Sequence, residues 1–204
     1  MAYIGSKPAD KVLTASDITD GIISSAKIAD GTIVNDDVNA SAAIVASKLS
    51  GTGITVADQW RITTAHSGTG DITTNWERMD TDNQGLIGSA MTESSGVFTF
   101  PSTGTYLVTF VTSCDISGGD VTYLFSEIWI TLDNSNYSAT ATVAGSAADG
   151  YRTGNNVTVL LNVSDTSNVK CKFKVNGSAE DFNANGSTSY NRTTAQFIRL
   201  GDST

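Results

Sequence analysis

Through residues 58–204, apolar and polar positions alternate in short bursts: GVFTF, YLVTFVTSC, YLFSEIWITL, NVTVLLNV, NVKCKFKV and TAQFIRL. A period of two marks an extended strand, whose successive side chains point to opposite faces. Between the bursts lie DTDNQG, DISGGD, DNSN, SDTSN and NANGSTS. Gly, Asn, Asp and Ser supply the positive φ angles and local hydrogen bonds that turns require. Short strands with regular turn signals and no helical period predict an antiparallel β-sandwich.

Individual strands differ in how many faces are apolar. NVKCKFKV sets Val169, Cys171, Phe173 and Val175 against Lys170, Lys172 and Lys174, one face for a core and one for water. YLFSEIWITL is apolar on both sides: Leu124, Ile128, Ile130 and Leu132 on one, Tyr123, Phe125 and Trp129 on the other. In YLVTFVTSC, Tyr106, Val108 and Phe110 oppose Leu107 and Val111. A sheet in a sandwich buries one face. A second apolar face predicts a second partner, most simply another copy of the chain. Tyr123, Phe125 and Trp129 are therefore candidate interface residues.

Residues 1–57 follow another rule. Ile18, Ile23, Ile28, Ile33 and Val38 recur at every fifth position, and Ala43, Ile44 and Leu49 extend the series. On a helix, at about 100° per residue, such steps scatter around the axis. On a strand they alternate faces. The same stretch repeats every ten residues or so, as ITDGIISSAK, IADGTIVNDD and VNASAAIVASK, with Asp-Gly at a fixed offset predicting a tight turn. The expected unit is an extended piece, a turn and another extended piece. Two or three units cannot bury a core alone. The predicted form is an intertwined shaft in which Ile18, Ile23, Ile28, Ile33 and Val38 meet their counterparts in other copies. A disordered low-complexity arm is the alternative. The chain thus divides into an attachment arm, 1–57, and a head, 58–204.

Charge narrows the partners. Only 16% of residues are charged and the net charge is −9, which excludes nucleic acid, whose phosphates require a basic face. No apolar run reaches membrane-spanning length, so membrane insertion is not expected. Residues 1–20 carry Lys7, Asp10, Lys11 and Asp17 without an apolar core, so the expectation is synthesis in a cytoplasm without a signal peptide. Cys114 and Cys171 each fall inside a strand pattern, as buried free thiols or as a disulfide that would need an oxidising compartment.

The run GVFTFPSTGTYLVTF, with Phe98, Gly104, Tyr106, Val108 and Phe110, resembles the signature of complement globular heads, which belong to the tumour-necrosis-factor-like (TNF-like) jelly rolls. QFIRL, with Phe197, Ile198 and Leu200, is similar to that family's closing strand. The resemblance implies an all-β antiparallel jelly-roll sandwich that assembles as a homotrimer. The start MAYIGSKPADKVL, the Ile-x-Asp-Gly repeats, WERMD and FTFPSTG together resemble fibre or adhesin proteins of marine bacteriophages. That likeness implies a virion location.

Candidate chemistry is sparse. His66 is the single histidine and no nucleophile elbow accompanies it, so no catalytic residue is assigned and an enzyme is not expected. Asp80, Asp82 and Gln84 precede Gly85 with oxygen ligands at alternating positions, a pattern that suits calcium and equally a turn that caps its own amides. No other cofactor is implied. Tyr137, Tyr151 and Tyr190 stand in turn-rich stretches and are the candidate receptor-contact residues. The resulting expectation is a trimeric tail-fibre-type adhesin. Its partners would be two further copies of itself, other virion proteins through residues 1–57, and a host surface glycan or receptor. A capsid decoration or head-fibre protein is the alternative, and a polysaccharide depolymerase a third.

Overall fold

The clearest alternation becomes the longest strand. From Gly104 to Ile116 burial switches at every residue, with Tyr106, Val108 and Phe110 wholly buried and Leu107 and Val111 on the opposite face. The computed structural model describes residues 14–39, 41, 42, 44, 53–178 and 182–204. The chain forms two units, Met1–Ser50 and Gly51–Thr204.

In chain order the second unit contains β1 (Val56–Ile62), β2 (His66–Ser67), β3 (Gly70–Asp71), β4 (Trp76–Arg78), β5 (Ile87–Gly88), β6 (Thr92–Ser94) and β7 (Val97–Thr99). There follow β8 (Gly104–Ile116), β9 (Val121–Thr131), β10 (Tyr137–Ala147), β11 (Arg152–Val163), β12 (Lys170–Gly177), β13 (Phe182–Ala184) and β14 (Thr194–Gly201). One sheet, here sheet A, runs β11–β8–β14–β1–β4, with β13 also paired to β8, β2 paired to β13, and β5 beside β1. Sheet B runs β10–β9–β12–β7–β6, with β3 also on β12. All pairings are antiparallel, and neighbours come from distant parts of the chain, as in a jelly roll.

Phe98 sits at the centre of the core. Its ring lies 5.4 Å from Trp60, 5.2 Å from Trp76, 5.4 Å from Phe173 and 5.1 Å from Phe197, which draws both sheets onto one residue. Gly104 opens β8 at φ +149°, and a Cβ there would lie 2.4 Å from Arg199 Nε and 2.6 Å from the Gly201 carbonyl oxygen. The motif's glycine is therefore required by close approach to β14. Its tyrosine, Tyr106, donates its hydroxyl proton to the Ser102 carbonyl at 3.0 Å. Cys114 and Cys171 are buried free thiols, not a disulfide.

Three strand expectations need correction. Leu132 lies past the end of β9 and is 71% exposed, so it is not part of that strand's inner face. β1 starts at Val56, ahead of the expected 57/58 boundary. β10, YSATATVAGSA, escapes sequence reading because small and hydroxyl residues replace the apolar alternation at this sheet edge.

The first unit keeps the expected tight turns at Asp-Gly and sets a second kind of turn between extended residues such as Ser24 and Ile28. Short 3-10 turns at Ala15–Asp17, Ser25–Lys27 and Asn35–Asp37 recur ten residues apart. Each is closed by an N–H bond three residues back: Asp17 to Thr14 at 2.9 Å, Lys27 to Ser24 at 2.9 Å, Asp37 to Val34 at 3.0 Å. Between them, Ile22 donates to Thr19 at 3.3 Å and Thr32 to Ala29 at 3.1 Å, across Gly21 and Gly31 at φ +79° and +76°. The Asp17 and Asp37 carboxylates accept the N–H groups of Thr14 and Val34. The spacing of five is thus half of a ten-residue repeat. Ile18, Ile28 and Val38 each follow a 3-10 turn, while Ile23 and Ile33 follow the glycine turns. All five are exposed, from 38% at Ile28 to 57% at Ile33. Ala43 and Leu49 lie outside the described residues.

Candidate functional site

The acidic loop after β4 faces a cation the protein already owns. Arg61, 1% exposed, donates to Glu77 at 2.9 Å, Asp80 at 3.1 Å and the Thr81 hydroxyl at 2.9 Å. Gln84 Oε1 accepts from Asn191 at 3.0 Å, and Asp82 occupies a positive-φ position in a turn closed by the Gln84 N–H on the Thr81 carbonyl. Asp80 is thus engaged by Arg61 and Gln84 by Asn191. Among the described residues no three His, Cys, Asp or Glu side chains gather where a metal ion could be held. The loop folds as it does because a buried guanidinium must find several acceptors. A second such pair braces the sandwich edge: Asp58, nearly inaccessible, takes Arg78 Nε at 2.9 Å and the Met91 N–H at 2.9 Å.

The three tyrosines do not share a surface role. Tyr151 follows β10 and Tyr190 precedes β14, each 68% exposed. Tyr137 is not a loop residue: it begins β10, with the Lys172 ammonium 4.6 Å from its ring, and burial pushes its phenol pKa up. His66 lies on β2 with Nε2 buried and without a partner among the described residues. Burial, opposed by Asp71, holds its imidazole below the ordinary 6.5. Burial also raises both thiols, Cys114 to about 11.

The outward faces of the two sheets hold the larger features. On sheet A, strand registers align Ile87 with Ala57, Ala57 with Ile198, Ile198 with Leu107, and Leu107 with Leu160. Five strands thus contribute one aliphatic row, roughly 19 Å long at the usual strand spacing. Ile87 and Leu160, at its two ends, are 50% and 61% exposed. Beside it runs a polar row of Gln59, Gln196, Thr109 and Thr158. At the β5 end, Ala57, Gln59, Gly85, Ile87, Gln196 and Ile198 line a shallow groove. Leu107 is legible in the sequence as an apolar position on the second face of its strand, and Ile198 as part of a hydrophobic closing strand. The row is not, because it exists only through pairings between residues far apart in sequence.

On sheet B the outward face carries Tyr123, Phe125 and Trp129 of β9 beside Lys172, Lys174 and Asn176 of β12. Trp129 donates its indole N–H to Glu127 at 2.5 Å, and the ammonium groups of Lys172 and Lys174 lie 5.6 and 5.1 Å from its ring. Lys172 also pairs with Asp71 at 2.7 Å. These aromatics are therefore partly covered within one chain.

No sequence-family model matches the chain, and no curated protein sequence does. Solved structures match the architecture just described. A murine APRIL crystal structure aligns at TM-score 0.53 and 9% identity over 71% of this chain and 98% of its own. Eiger, a TNF from S. frugiperda, aligns at TM-score 0.53 and 14% identity over 72% and 94%. The fold is a TNF-like jelly roll. At these identities the TNF-like head shares architecture with APRIL and Eiger, and its site must be read from its own residues.

Proposed function

We propose that the protein is a homotrimeric, tail-fibre-type structural protein of a virion. In this reading the arm joins other virion proteins and the TNF-like head contacts a host-surface glycan or receptor. The observation that carries it is the aliphatic surface one copy leaves in water, as the row Ile87–Ala57–Ile198–Leu107–Leu160 on the head and the repeats of the arm. Covering one such side chain contributes about 1.5–3 kcal/mol, so a row of them favours association. The row has a protruding end at Leu160, on edge strand β11, and a recessed end at the Ala57–Ile87 groove. A protruding end set against a recessed one suits head-to-tail contacts that close into a ring. The head interface is thereby reassigned from Tyr123, Phe125 and Trp129 to the outward face of sheet A. Ile18, Ile23, Ile28, Ile33 and Val38 remain the arm's contact residues. Three linked heads would supply the avidity that shallow contacts lack.

Sedimentation of the full chain tests the assembly. A mass of three subunits is expected, and a monodisperse single subunit would overturn it. Adsorption of labelled protein to intact host cells supports the adhesin. Adsorption to empty capsids alone would instead favour the decoration reading, and hydrolysis of host polysaccharide would overturn both.

A further inference from the structure

The outward face of sheet B has the make-up of a sugar platform. Tyr123, Phe125 and Trp129 stand on one face of β9, with the Tyr123 and Phe125 rings 5.3 Å apart and Tyr123 43% exposed. On the β10 side the residues level with Trp129, Glu127 and Phe125 are Ala139, Thr142 and Ala144, all exposed. The rings therefore overlook a shelf on which no level side chain is longer than threonine. On the other side rise Lys172, Lys174 and Asn176, level with the same three residues. A pyranose presents C–H groups that pack on an aromatic face and hydroxyls that need polar groups at the rim. Rings on one side of Thr142 and a rim of Lys174 and Asn176 meet both needs.

Lys174 sets the charge of the ligand. Its neighbour Lys172 is neutralised by Asp71 at 2.7 Å, and Lys170 is spent on the Thr99 hydroxyl at 3.0 Å and the Thr166 carbonyl at 3.3 Å. Lys174 forms no ion pair among the described residues. Glu127, level with it, is 8% exposed and accepts the Trp129 indole N–H. Lys174 is level with Asp71 of β3 and Glu127 of β9, but Asp71 is engaged by Lys172 and Glu127 by the Trp129 indole. That leaves the Lys174 ammonium, 5.1 Å from the Trp129 ring, as the place on this face for an anion.

We propose that this face binds a saccharide bearing a carboxylate or phosphate, its ring stacked on Phe125 and Tyr123 and its anionic group at Lys174. The proposal rests on the adhesin reading and moves its contact surface from the loop tyrosines to a rigid strand face.

The test is binding of the full chain to immobilised neutral, uronate-bearing, sialylated and phosphorylated saccharides. The wild type is compared with Phe125→Ala, Lys174→Glu and the double loop variant Tyr151→Ala/Tyr190→Ala, each checked for an unchanged melting profile. The expected result is binding to acidic members of the set. Phe125→Ala and Lys174→Glu should each weaken it about tenfold, with the loop variant unaffected. If Phe125→Ala fails to fold, Tyr123→Ala and Lys174→Glu carry the test. Equal binding to neutral sugars overturns the role of Lys174. Loss only in the loop variant overturns the platform and leaves the adhesin standing. Absence of saccharide binding by protein that still adsorbs to cells overturns the platform alone. A fall in the mass of the assembly on Phe125→Ala makes this face an interface between copies and overturns it too.

Discussion

The outward faces of sheets A and B start from the same sequence signal, a strand apolar on both sides, and end as different surfaces. On sheet A, Leu107, Ile198 and Leu160 lie side by side with threonines and glutamines for neighbours, and Leu160 is 61% exposed. On sheet B, the Lys172 ammonium lies against both Trp129 and Tyr137, and Glu127 takes the indole proton. Lysine stems cover apolar surface while their heads stay wet. A two-faced strand therefore signals a partner only when the neighbouring strands lay no lysine across its outer face. On that ground the proposed interface is placed at Leu107 rather than at Trp129, although tryptophan is the larger group.

The contrast can be broken in order of expected effect. Phe98→Ala should remove both faces together by unfolding the sandwich, lowering stability by about 3–5 kcal/mol in a denaturant titration. A mutant as stable as wild type would show that the aromatic cluster is not the common support. Leu107→Asp with Ile198→Asp should convert the assembly to single subunits in sedimentation while the melting of the head persists. Trp129→Ala should leave the mass unchanged. The reverse pattern would return the interface to sheet B. Lys172→Ala should uncover Trp129 and Tyr137 and reduce stability by about 1 kcal/mol, with a red-shifted tryptophan emission; no spectral change would mean the lysine does not cover the ring.

Two smaller effects concern buried groups on neither face. His66 has its folded pKa depressed by burial, so below the ordinary 6.5 the unfolded chain binds the proton more readily. Stability should therefore fall as pH drops through 6.5 toward 5, and His66→Gln should flatten that slope in melting curves. Cys114 and Cys171, buried and held as thiols, should resist a thiol reagent at pH 8 in the native protein and both react in denaturant. Rapid native labelling of either would contradict their burial.

Much of the head was legible because strand alternation and turn chemistry are local. Val169, Cys171, Phe173 and Val175 were read as inward and are, at 2%, 0%, 0% and 0% exposure. Phe98, Gly104 and Tyr106 were recognisable as a motif, and the structure supplies the reasons: a cluster centre, a close approach to β14 and a hydroxyl bond to Ser102. Asp80 was read as a possible ligand because its spacing is local too. Its ion-pair partner, Arg61, is nineteen residues away and no spacing rule connects them. β10 was missed because its edge position lets Ala, Thr and Ser stand where an interior strand would need larger apolar groups.

By itself, the sequence determined which residues extend, which turn, and which side of each strand faces inward, since these follow from sterics and burial within a few residues. It also set the ten-residue repeat of the arm. Only the tertiary structure decided that residues 57, 87, 107, 160 and 198 form one row, and that a shelf of alanines lies beside Phe125. Those alignments come from closing two sheets over a single core, and the register of distant strands is a property of the whole closure rather than of any segment in it.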